Sequence, residues 1–403
     1  MTEILFLAHR IPYPPNKGDK IRSWNLLRGL AERHTVHLGT FVDDPDDWQH
    51  VDALKRVCGE VCVRPLEPRR ARLRSVGGLA AGRALSIDFY RDRTLSGWVA
   101  DLCATRSLDG VFVYSSSMAQ YAEDLALPAG VPRVIDFCDV DSDKWAQYSR
   151  GHRWPMSWVY GREARLLAEA ERRYAGAFDA TIVIAEPEAE ILRALAPAAR
   201  PRIAVVPNGV DTGYFDPSRA WPDPFARGSK PLVFTGAMDY HPNVDGVAWF
   251  AREALPAIRS HCPAATFWIV GSNPSAEVRS LGDLDGVHVT GRVPDVRPYL
   301  AHAAVVVAPL RIARGVQNKV LEGLAMARPV VVTPNAVQGI AGVGPAEVAV
   351  AGDIAALVEA VVAVLDRAPA SVAAAREFVL RHYGWEAQVA ALDRLLGAAA
   401  RPC

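Results

Sequence analysis

The amino-acid sequence predicts two α/β domains in series, each a doubly wound parallel sheet covered by helices. A chain of 403 residues is too long for one ordinary hydrophobic core. Short apolar segments alternate with longer helical ones, which is the βαβ pattern of a parallel sheet. A turn cluster at residues 207–211 interrupts this alternation, and a second βαβ series follows it.

The first domain is predicted over residues 1–207. Its opening segment, Met1–Ala8, lacks the basic start and the small-residue cleavage site of a signal peptide, so we interpret it as a strand. Helices are predicted at Ile21–Arg33 and Ser157–Ala175. The predicted strands are Ile4–Ala8, Val36–Phe41, Val111–Tyr114, Arg133–Phe137 and Thr181–Ile184.

The second domain is predicted over residues 208–380, with residues 215–230 as the connection between the domains because they are rich in Pro, Asp and Gly. A final segment, 381–403, contains a closing helix at Trp385–Leu396 that is expected to cross back to the first domain. Such sheets bind ligands at the carboxyl ends of their strands, so a cleft is expected there. The predicted strands are Leu232–Thr235, Thr266–Val270, Val287–Thr290, Val305–Ala308 and Pro329–Thr333.

The composition gives no indication of a nucleic-acid-binding, membrane-spanning or metal-binding protein. Lys and Arg together number 45, as do Asp and Glu, so the net charge gives no argument for a nucleic-acid partner. No apolar stretch approaches the length of a membrane span. The six cysteines are scattered; Cys58 and Cys62 could share a helix face, but no second pair completes a metal site. We therefore predict reduced thiols, no metal and a cytoplasmic location.

The segment after a predicted strand that ends at Pro309 carries the strongest chemical pattern. A loop containing Gly315 leads into a helix that starts near Gln317, and a helix N-terminus after such a loop favours a phosphate. Lys319 adds positive charge there, and Glu322 can accept hydrogen bonds from a ribose diol. The alternative is a plain turn followed by a surface pair of charges, and the pattern alone does not separate the two.

This segment, from Arg314 to Val331, resembles the signature of glycosyltransferase family 4: a Glu, small residues, then Pro-Val-Val. Further landmarks occur in the order of the family. They are Val206-Pro207-Asn208-Gly209-Val210-Asp211, Phe234-Thr235-Gly236, Trp268-Ile269-Val270-Gly271 and Val289-Thr290-Gly291-Arg292-Val293, with Pro14-Pro15-Asn16-Lys17-Gly18-Asp19 in the first half.

The resemblance implies a GT-B fold and retaining transfer of a sugar from a nucleotide-diphosphate donor, guessed to be a UDP-sugar, without an obligatory metal or other cofactor. Glu322 would hold the ribose, Lys319 would face the pyrophosphate, and Gly315 and Val316 would offer backbone N–H groups. The residues implied in donor binding are Gly18, Gly236, Asn243, Gly291, Arg292, Val293, Gly315, Val316, Lys319 and Glu322.

The sequence departs from the family at three places. Arg314 stands where the family has a Glu that touches the donor sugar, and residues 237–243 lack a basic pair that Arg314 and Lys319 could replace. Cys138 stands nearest the position of a family His, which makes Asp136 and Asp139 candidates for contacting the donor sugar or the acceptor. These acids could instead cap a helix that starts near Ser142. The predicted catalytic residues are Asp136, Asp139, Arg314 and Lys319.

The sequences of three segments, residues 9–27, 234–246 and 315–322, resemble those of bacterial sugar transferases associated with PEP-CTERM/exosortase exopolysaccharide clusters. This implies a lipid-linked saccharide acceptor. The stretch Arg64–Arg83 mixes basic and apolar residues, which is typical of docking onto anionic lipid, although a solvated loop is the alternative. We predict peripheral association with the inner face of the plasma membrane through Arg69, Arg70, Arg72 and Arg74.

Other functions compete with transfer. A nucleotide-sugar epimerase or hydrolase of the same architecture would need a set of carboxylates around the sugar, which the sequence does not show clearly. A non-catalytic nucleotide-binding scaffold is the second alternative, because Arg314 replaces a family Glu. For Trp145, Trp154 and Trp158, an acceptor platform and ordinary core packing both stay open.

Overall fold

The computed structural model describes residues 2–69, 71, 75, 82–313, 315–367 and 372–398. The chain divides into two compact units. Unit 1 runs to Pro207 and resumes at Gln388, and unit 2 is Asn208–Ala387. Each unit has its own parallel sheet and its own hydrophobic core, so the predicted α/β architecture of two doubly wound domains is confirmed.

Unit 1 contains a seven-stranded parallel sheet in the order β3-β2-β1-β4-β5-β6-β7. The central strand β1 is apolar and almost entirely buried, as expected for a strand covered on both faces. Its residue Ile4 pairs with Val36 on one side and with Gly110 on the other. The strands are β1 Glu3–Ala8, β2 Thr35–Val42, β3 Val61–Pro65, β4 Gly110–Tyr114, β5 Arg133–Cys138, β6 Ala180–Val183 and β7 Ile203–Val205.

The helices of unit 1 connect these strands and cover the sheet. Short 3₁₀ segments lie at Pro45–His50, Ser116–Tyr121 and Pro197–Arg202. The helix predicted at Ile21–Arg33 begins three residues earlier, at Gly18, with Asp19 in its first turn where a negative charge is favourable. The helices are α1 Gly18–Ala31, α2 Val51–Lys55, α3 Leu85–Phe89, α4 Arg93–Thr105, α5 Asp141–Gly151, α6 Met156–Ala177 and α7 Glu186–Leu195.

Unit 2 contains a six-stranded parallel sheet in the order β10-β9-β8-β11-β12-β13. Central strands β8 and β11 consist of buried apolar residues apart from the first residue of β8 and Thr235 at its end. Their order places the carboxyl ends of β8, β9, β10 and β11 at one edge of the sheet. The strands are β8 Lys230–Thr235, β9 Ala265–Val270, β10 Val287–Gly291, β11 Val305–Ala308, β12 Val330–Val332 and β13 Ala349–Val350.

The helices of unit 2 follow the same βαβ alternation, with a π-helical turn at Phe250–Ala254 and a 3₁₀ turn at Leu281–Asp283. The closing helix α16 begins in unit 2, and from Gln388 onward it belongs to unit 1, where Val389 lies against Gly29 of α1. The helices are α8 His241–Trp249, α9 Leu255–His261, α10 Ala276–Ser280, α11 Arg297–His302, α12 Asn318–Ala325, α13 Pro334–Val337, α14 Ile354–Leu365, α15 Ala373–His382 and α16 Trp385–Ala398.

The structure corrects the predicted local structure at three places. Residues 215–230 are not a free connection: Phe215 is buried in the core of unit 2, and Trp221 and Phe225 pack against that core. Cys62 lies in strand β3 and Cys58 in the loop before it, so the two share no helix face. The strands β3, β7 and β13 were missed because they are short sheet edges, which need less apolar sequence than central strands.

Candidate active site

A pocket of about 530 Å³ opens in unit 2 at the carboxyl edge of the sheet. It lies where β8, β9 and β10 end and where helix α12 begins, which is the edge at which parallel sheets bind ligands. Its lining residues are Thr235, Gly236, Ala237, Asn243, Val270, Gly271, Ser272, Arg292, Val293, Val296, Val316, Asn318, Lys319 and Glu322. Seven of these were predicted to bind the donor.

The loop before α12 presents the start of the helix to the pocket. Gly315 has a φ of 62°, a left-handed conformation that side chains disfavour. Gly339 packs so closely on this loop that an added Cβ would lie 2.3 Å from the carbonyl oxygen of Gly315. Gln317 is the N-cap of α12, and no side chain caps this end. The first N–H groups of the helix are therefore available to an anion.

Lys319 lies in the first turn of α12 and lines the pocket. Its Nζ donates to Oδ1 of Asn243 at 3.1 Å, and it lies 5.2 Å from the centroid of the Phe234 ring. Among the described residues no carboxylate lies within ion-pair distance of this ammonium group. Burial lowers the pKa of Lys319 to about 8, and the carboxylate of Glu322 only partly opposes that shift. The lysine is a cation held in a poorly solvated position.

Asn243 holds Lys319 in this position. Only 4% of the residue is exposed, and its Nδ2 donates to the carbonyl oxygen of Ala237 at 2.8 Å while its Oδ1 accepts from the lysine. Asn243 was predicted to bind the donor. In the structure it lines the pocket and also positions Lys319, and its role in donor binding stays a prediction.

Glu322 lies one turn further along α12 and also lines the pocket. Burial raises the pKa of its carboxyl group to about 7, and Lys319 opposes that shift. No hydrogen-bond partner for the carboxylate is found in the described part of the chain. The carboxylate can therefore accept hydrogen bonds from a ligand hydroxyl in the pocket.

The floor of the pocket depends on two glycines and a threonine that sequence reasoning did not select as a group. An added Cβ on Gly271 would lie 1.6 Å from the carbonyl oxygen of Gly236, so the ends of β9 and β8 are in contact there. Thr235, 4% exposed, lines the pocket, and its hydroxyl is buried with no hydrogen-bond partner among the described residues. A buried hydroxyl without a partner is uncommon in folded proteins. The Phe-Thr-Gly motif at the end of β8 was the sequence signal that could have identified this part of the pocket.

The remaining donor-binding candidates of unit 2 flank the same pocket. Gly291 ends β10 with a φ of 65°, and Arg292 and Val293 follow it in the lining. The side chain of Arg292 is exposed. Gly315 adjoins the lining residue Val316. Arg314, predicted as a catalytic residue, lies outside the described residues.

Asp136, predicted to contact the donor sugar or the acceptor, is fully buried in unit 1. Its Oδ2 accepts from Nε of Arg22 at 2.7 Å and its Oδ1 accepts from the backbone N–H of Cys138 at 2.8 Å. Arg22 is 2% exposed and also donates to the carbonyl oxygens of Val206 and Pro207. This arrangement contradicts the prediction for Asp136, because its carboxylate is used inside the fold.

Asp139 is partly exposed, and its carboxylate has no hydrogen-bond partner among the described residues. Burial raises its pKa, which Lys144 opposes. Neither Asp136 nor Asp139 caps α5, so the capping alternative is wrong. Instead, the N–H of Ser142 donates to Glu171 at 3.1 Å.

Gly18 is the first residue of α1, and the N-terminus of this helix has no side-chain cap. An added Cβ there would have no atom within 4 Å, so the space beside it is open. The next residue, Asp19, accepts from Arg10, whose guanidinium also lies 2.9 Å from Asp43. His9 lies 3.5 Å from Asp19 and stacks on Tyr114. These contacts fix the loop that leads to Gly18.

The basic stretch predicted to dock on a membrane is only partly described. Arg64 pairs with Asp92 at 3.2 Å and Arg83 pairs with Asp88 at 2.9 Å, so its two end arginines are engaged in unit 1. Arg69 is exposed. Arg70, Arg72 and Arg74 lie outside the described residues. No helix in the described part of the chain is long and apolar enough to cross a membrane.

Several solved structures resemble the chain over nearly its full length. Sucrose-phosphate synthase (tll1590) from Thermosynechococcus elongatus matches with a TM-score of 0.65 at 15% identity, covering 99% of each chain. Anabaena Alr3699/HepE in complex with UDP matches with a TM-score of 0.62 at 13% identity, covering 99% of this chain and 100% of that one. WaaG, a glycosyltransferase involved in lipopolysaccharide biosynthesis, matches with a TM-score of 0.55 at 16% identity, covering 98% of each. At these identities the likeness shows the fold.

The sequence itself matches two family models, one in each half. The Glycosyl transferase 4-like domain matches residues 20–209, and Glycosyl transferases group 1 matches residues 229–367. No curated protein matches the chain in sequence. Since the two models together span both units, and the fold is the one shared by the solved glycosyltransferases, the chain belongs to the GT-B glycosyltransferases.

Proposed function

We propose that the protein transfers a sugar, with retention at the anomeric carbon, from a nucleoside diphosphate sugar to a lipid-linked glycan. One observation carries the donor part of this proposal. Lys319 and Glu322 line a single pocket, three residues apart on a helix whose N-terminus has no side-chain cap. This places a cation and free N–H groups beside an acceptor carboxylate, as the pyrophosphate and the ribose of one nucleotide require.

The pyrophosphate is proposed to lie at the start of α12, between the Gly315–Val316 loop and Lys319. Negative charge that develops on the leaving diphosphate is stabilised by the helix N-terminus and by the ammonium group. Because these groups are fixed before the reaction, they supply the charge for which other transferases use a divalent cation. We therefore propose transfer without an obligatory metal. Uridine is the proposed base, since the Anabaena neighbour is in complex with UDP.

In the proposed reaction the acceptor hydroxyl attacks the anomeric carbon from the face that the diphosphate leaves. A C–O bond to the acceptor forms as the bond to the diphosphate oxygen breaks, and the hydroxyl proton passes to the departing diphosphate. No strong base from the protein is required. Asp139 stays the unit 1 candidate for a contact with substrate, because its carboxylate has no partner among the described residues.

The acceptor and the setting belong to the same proposal and depend on the motif resemblance. They are a lipid-linked saccharide in exopolysaccharide synthesis, at the inner face of the plasma membrane. Transfer of labelled sugar to a membrane lipid extract tests the acceptor, and the anomeric configuration of the product tests retention. Nucleotide binding with no transfer to any lipid acceptor would instead favour the scaffold function.

The donor site is tested by calorimetric titration with UDP, GDP and their sugars, with and without Mg²⁺. One nucleoside diphosphate is expected to bind without the metal, and Glu322→Ala is expected to weaken it at least about tenfold, the lower range for a hydrogen bond to a charged group. Glu359→Ala is the matched control, because Glu359 is exposed on α14 and does not line the pocket. Failure of every nucleotide to bind would remove the transferase proposal.

A further inference from the structure

Helices α5 and α6 of unit 1 form a hairpin whose end projects into solvent. We call residues 144–162, which include the turn between the helices, the α5–α6 tip. Six successive residues, 151–156, are all exposed. Large apolar side chains cluster there: Trp154 is 81% exposed, Trp158 58%, Tyr148 45% and Met156 41%. Exposed apolar side chains gathered in one place mark an interaction surface, whereas scattered ones do not.

The tip is held in shape by contacts beneath these side chains. Tyr160 packs its ring against Trp145 at 5.3 Å and against His152 at 5.0 Å, between centroids. The hydroxyl of Ser149 donates to the carbonyl oxygen of Ser157 at 2.9 Å and ties α5 to α6. Trp145 therefore packs in the hairpin, whereas Trp154 and Trp158 do not. The two exposed tryptophans therefore project from a hairpin that is already ordered by these contacts.

The charged side chains of the tip are all basic. Residues 144–162 contain no Asp or Glu, and they include Lys144, Arg150, Arg153 and Arg162. Arg150 and Arg153 are exposed and form no ion pair with any described residue. The next acid along the chain, Glu163, is buried, and its carboxylate accepts from the backbone N–H groups of Leu85 and Ser86. On the other side, the carboxylates of Asp139 and Asp141 interact with Lys144, so the exposed cations of the tip without an acidic partner among the described residues are Arg150 and Arg153.

We propose that the α5–α6 tip is a docking surface for a bilayer that contains anionic phospholipids. Tryptophan and tyrosine favour the boundary between head groups and acyl chains, where their rings are buried and their polar atoms stay hydrated. Arginines beside them are attracted to lipid phosphates. A projecting tip whose exposed rings lie beside the unpaired arginines Arg150 and Arg153 fits such a boundary, because it can insert its rings while these charges remain at the head groups.

The tip shares no residue with the nucleotide pocket of unit 2 or with the basic stretch Arg64–Arg83. It adds a membrane contact to the proposed function without depending on it, since lipid binding can be measured in the absence of a nucleotide. The end of the basic stretch is nevertheless attached to the same hairpin, because Arg162 of α6 donates to the carbonyl oxygen of Arg83.

The test is co-sedimentation of the full chain with large vesicles of phosphatidylcholine, with and without phosphatidylglycerol. Binding to the anionic vesicles is expected, with weak or no binding to the neutral ones. Arg150→Gln/Arg153→Gln is expected to lower the partition coefficient about fivefold for each charge removed. Trp154→Ala/Trp158→Ala is expected to lower it at least about tenfold, since two exposed rings lose their burial in the head-group layer.

Matched controls come from the same unit. Trp48→Ala removes another tryptophan, 43% exposed, and Arg56→Gln removes another exposed arginine; neither lies in the tip, and both are expected to bind like the wild type. An unchanged circular dichroism spectrum and an unchanged thermal midpoint show that the tip variants are folded. Equal loss in tip and control variants overturns the proposal, and so does full binding by the tryptophan double variant. Concentration-dependent dimers that the tip substitutions abolish, without vesicle binding, would assign the surface to a second copy instead.

Discussion

The charged side chains near the carboxyl edges of the two sheets differ in how completely they are paired. In unit 1, Arg22 and Asp136 are buried together, and each makes further hydrogen bonds to the backbone. In unit 2, Lys319 donates only to amide oxygens, those of Asn243 at 3.1 Å and Gln317 at 3.5 Å, and the carboxylate of Glu322 has no hydrogen-bond partner among the described residues. Both edges belong to the same kind of sheet, so the difference does not come from the fold.

The comparison teaches which charges maintain the fold and which are left for a ligand. Although burial opposes its charge, the carboxylate of Asp136 raises the pKa of the Arg22 guanidinium above its usual value. At the other edge, burial shifts both pKa values toward the neutral forms, lowering that of Lys319 and raising that of Glu322. A charge that the fold stabilises is structural, whereas a charge that the fold disfavours needs another reason to be retained.

The largest effect is expected from Arg22→Met. It leaves the carboxylate of Asp136 buried without its cation, which typically costs about 3–5 kcal/mol of unfolding free energy. Arg28→Met is the control on the same helix, because Arg28 is exposed and forms no ion pair with a described residue. Denaturant unfolding followed by fluorescence measures both. A loss below about 1 kcal/mol for Arg22→Met would show that the pair is not structural.

The double variant Lys319→Met/Glu322→Gln is expected to be more stable than the wild type, which is the opposite of the effect of Arg22→Met. The pKa of Glu322, about 7 against an ordinary 4.5, means that its charged form costs stability, and the cost develops as pH rises between those values. The pKa of Lys319, about 8 against 10.5, gives a cost that disappears as pH rises between them.

At pH 7 to 8 both costs are present, so removing both groups is expected to raise the thermal midpoint by about 2–4 °C for each kcal/mol recovered. Differential scanning calorimetry measures it at pH 7.5. A lower midpoint than the wild type would mean that the two charges stabilise each other more than burial destabilises them, and the contrast between the two edges would fail.

The difference between the paired charges of unit 1 and the unpaired charges of unit 2 could be predicted from the sequence only in part. Arg22 and Asp136 are 114 residues apart, and they meet only when α1 folds onto the sheet that contains β5. Asp136 was therefore predicted as a substrate contact when it is an internal partner. By contrast, Lys319 and Glu322 are neighbours on one helix, and local spacing was sufficient to predict that they share a site.

A smaller effect, on binding, is expected from Lys319→Met alone. Loss of a charged hydrogen bond to the pyrophosphate is expected to raise the Kd of the nucleoside diphosphate by about 10-fold to 100-fold. Lys230→Met is the control, because Lys230 lies at the start of β8 and donates to the carbonyl oxygen of Leu365, away from the pocket. Calorimetry at pH 7.5 compares them. Equal Kd values for the two variants would place the pyrophosphate elsewhere.

The pH dependence of binding should follow the same two groups. The ammonium form of Lys319 is needed for the pyrophosphate, so affinity is expected to fall as pH rises through about 8, by about tenfold at pH 9.5 relative to 7.5. The ionised form of Glu322 accepts from ribose, so affinity also falls as pH decreases through about 7. Titration across pH 6–9.5 measures both limbs. A persistent alkaline limb in Lys319→Met would assign it to another group.

The fold was predicted best for strands that are long runs of buried apolar residues. The site was predicted best where its residues are close together in the sequence. Central strands such as β1 and β8 are mostly apolar runs of six residues that a single sequence shows, whereas the edges β3, β7 and β13 have only five, three and two residues. Contacts between chain segments escaped prediction in the site as well. The approach of Gly339 to the Gly315 loop and of Gly271 to Gly236 exists only after the strands are aligned.

The smallest effect is expected from Thr235→Val, which keeps the shape of the side chain and removes its hydroxyl. This buried hydroxyl has no partner among the described residues and lines the pocket, so a ligand oxygen is its expected partner. Loss of one neutral hydrogen bond should weaken nucleotide binding about threefold. The buried hydroxyl of Thr181 in β6 of unit 1 also lacks a partner, so Thr181→Val is the matched control. If both valines only raise the thermal midpoint and leave the Kd unchanged, Thr235 is a packing residue like Thr181.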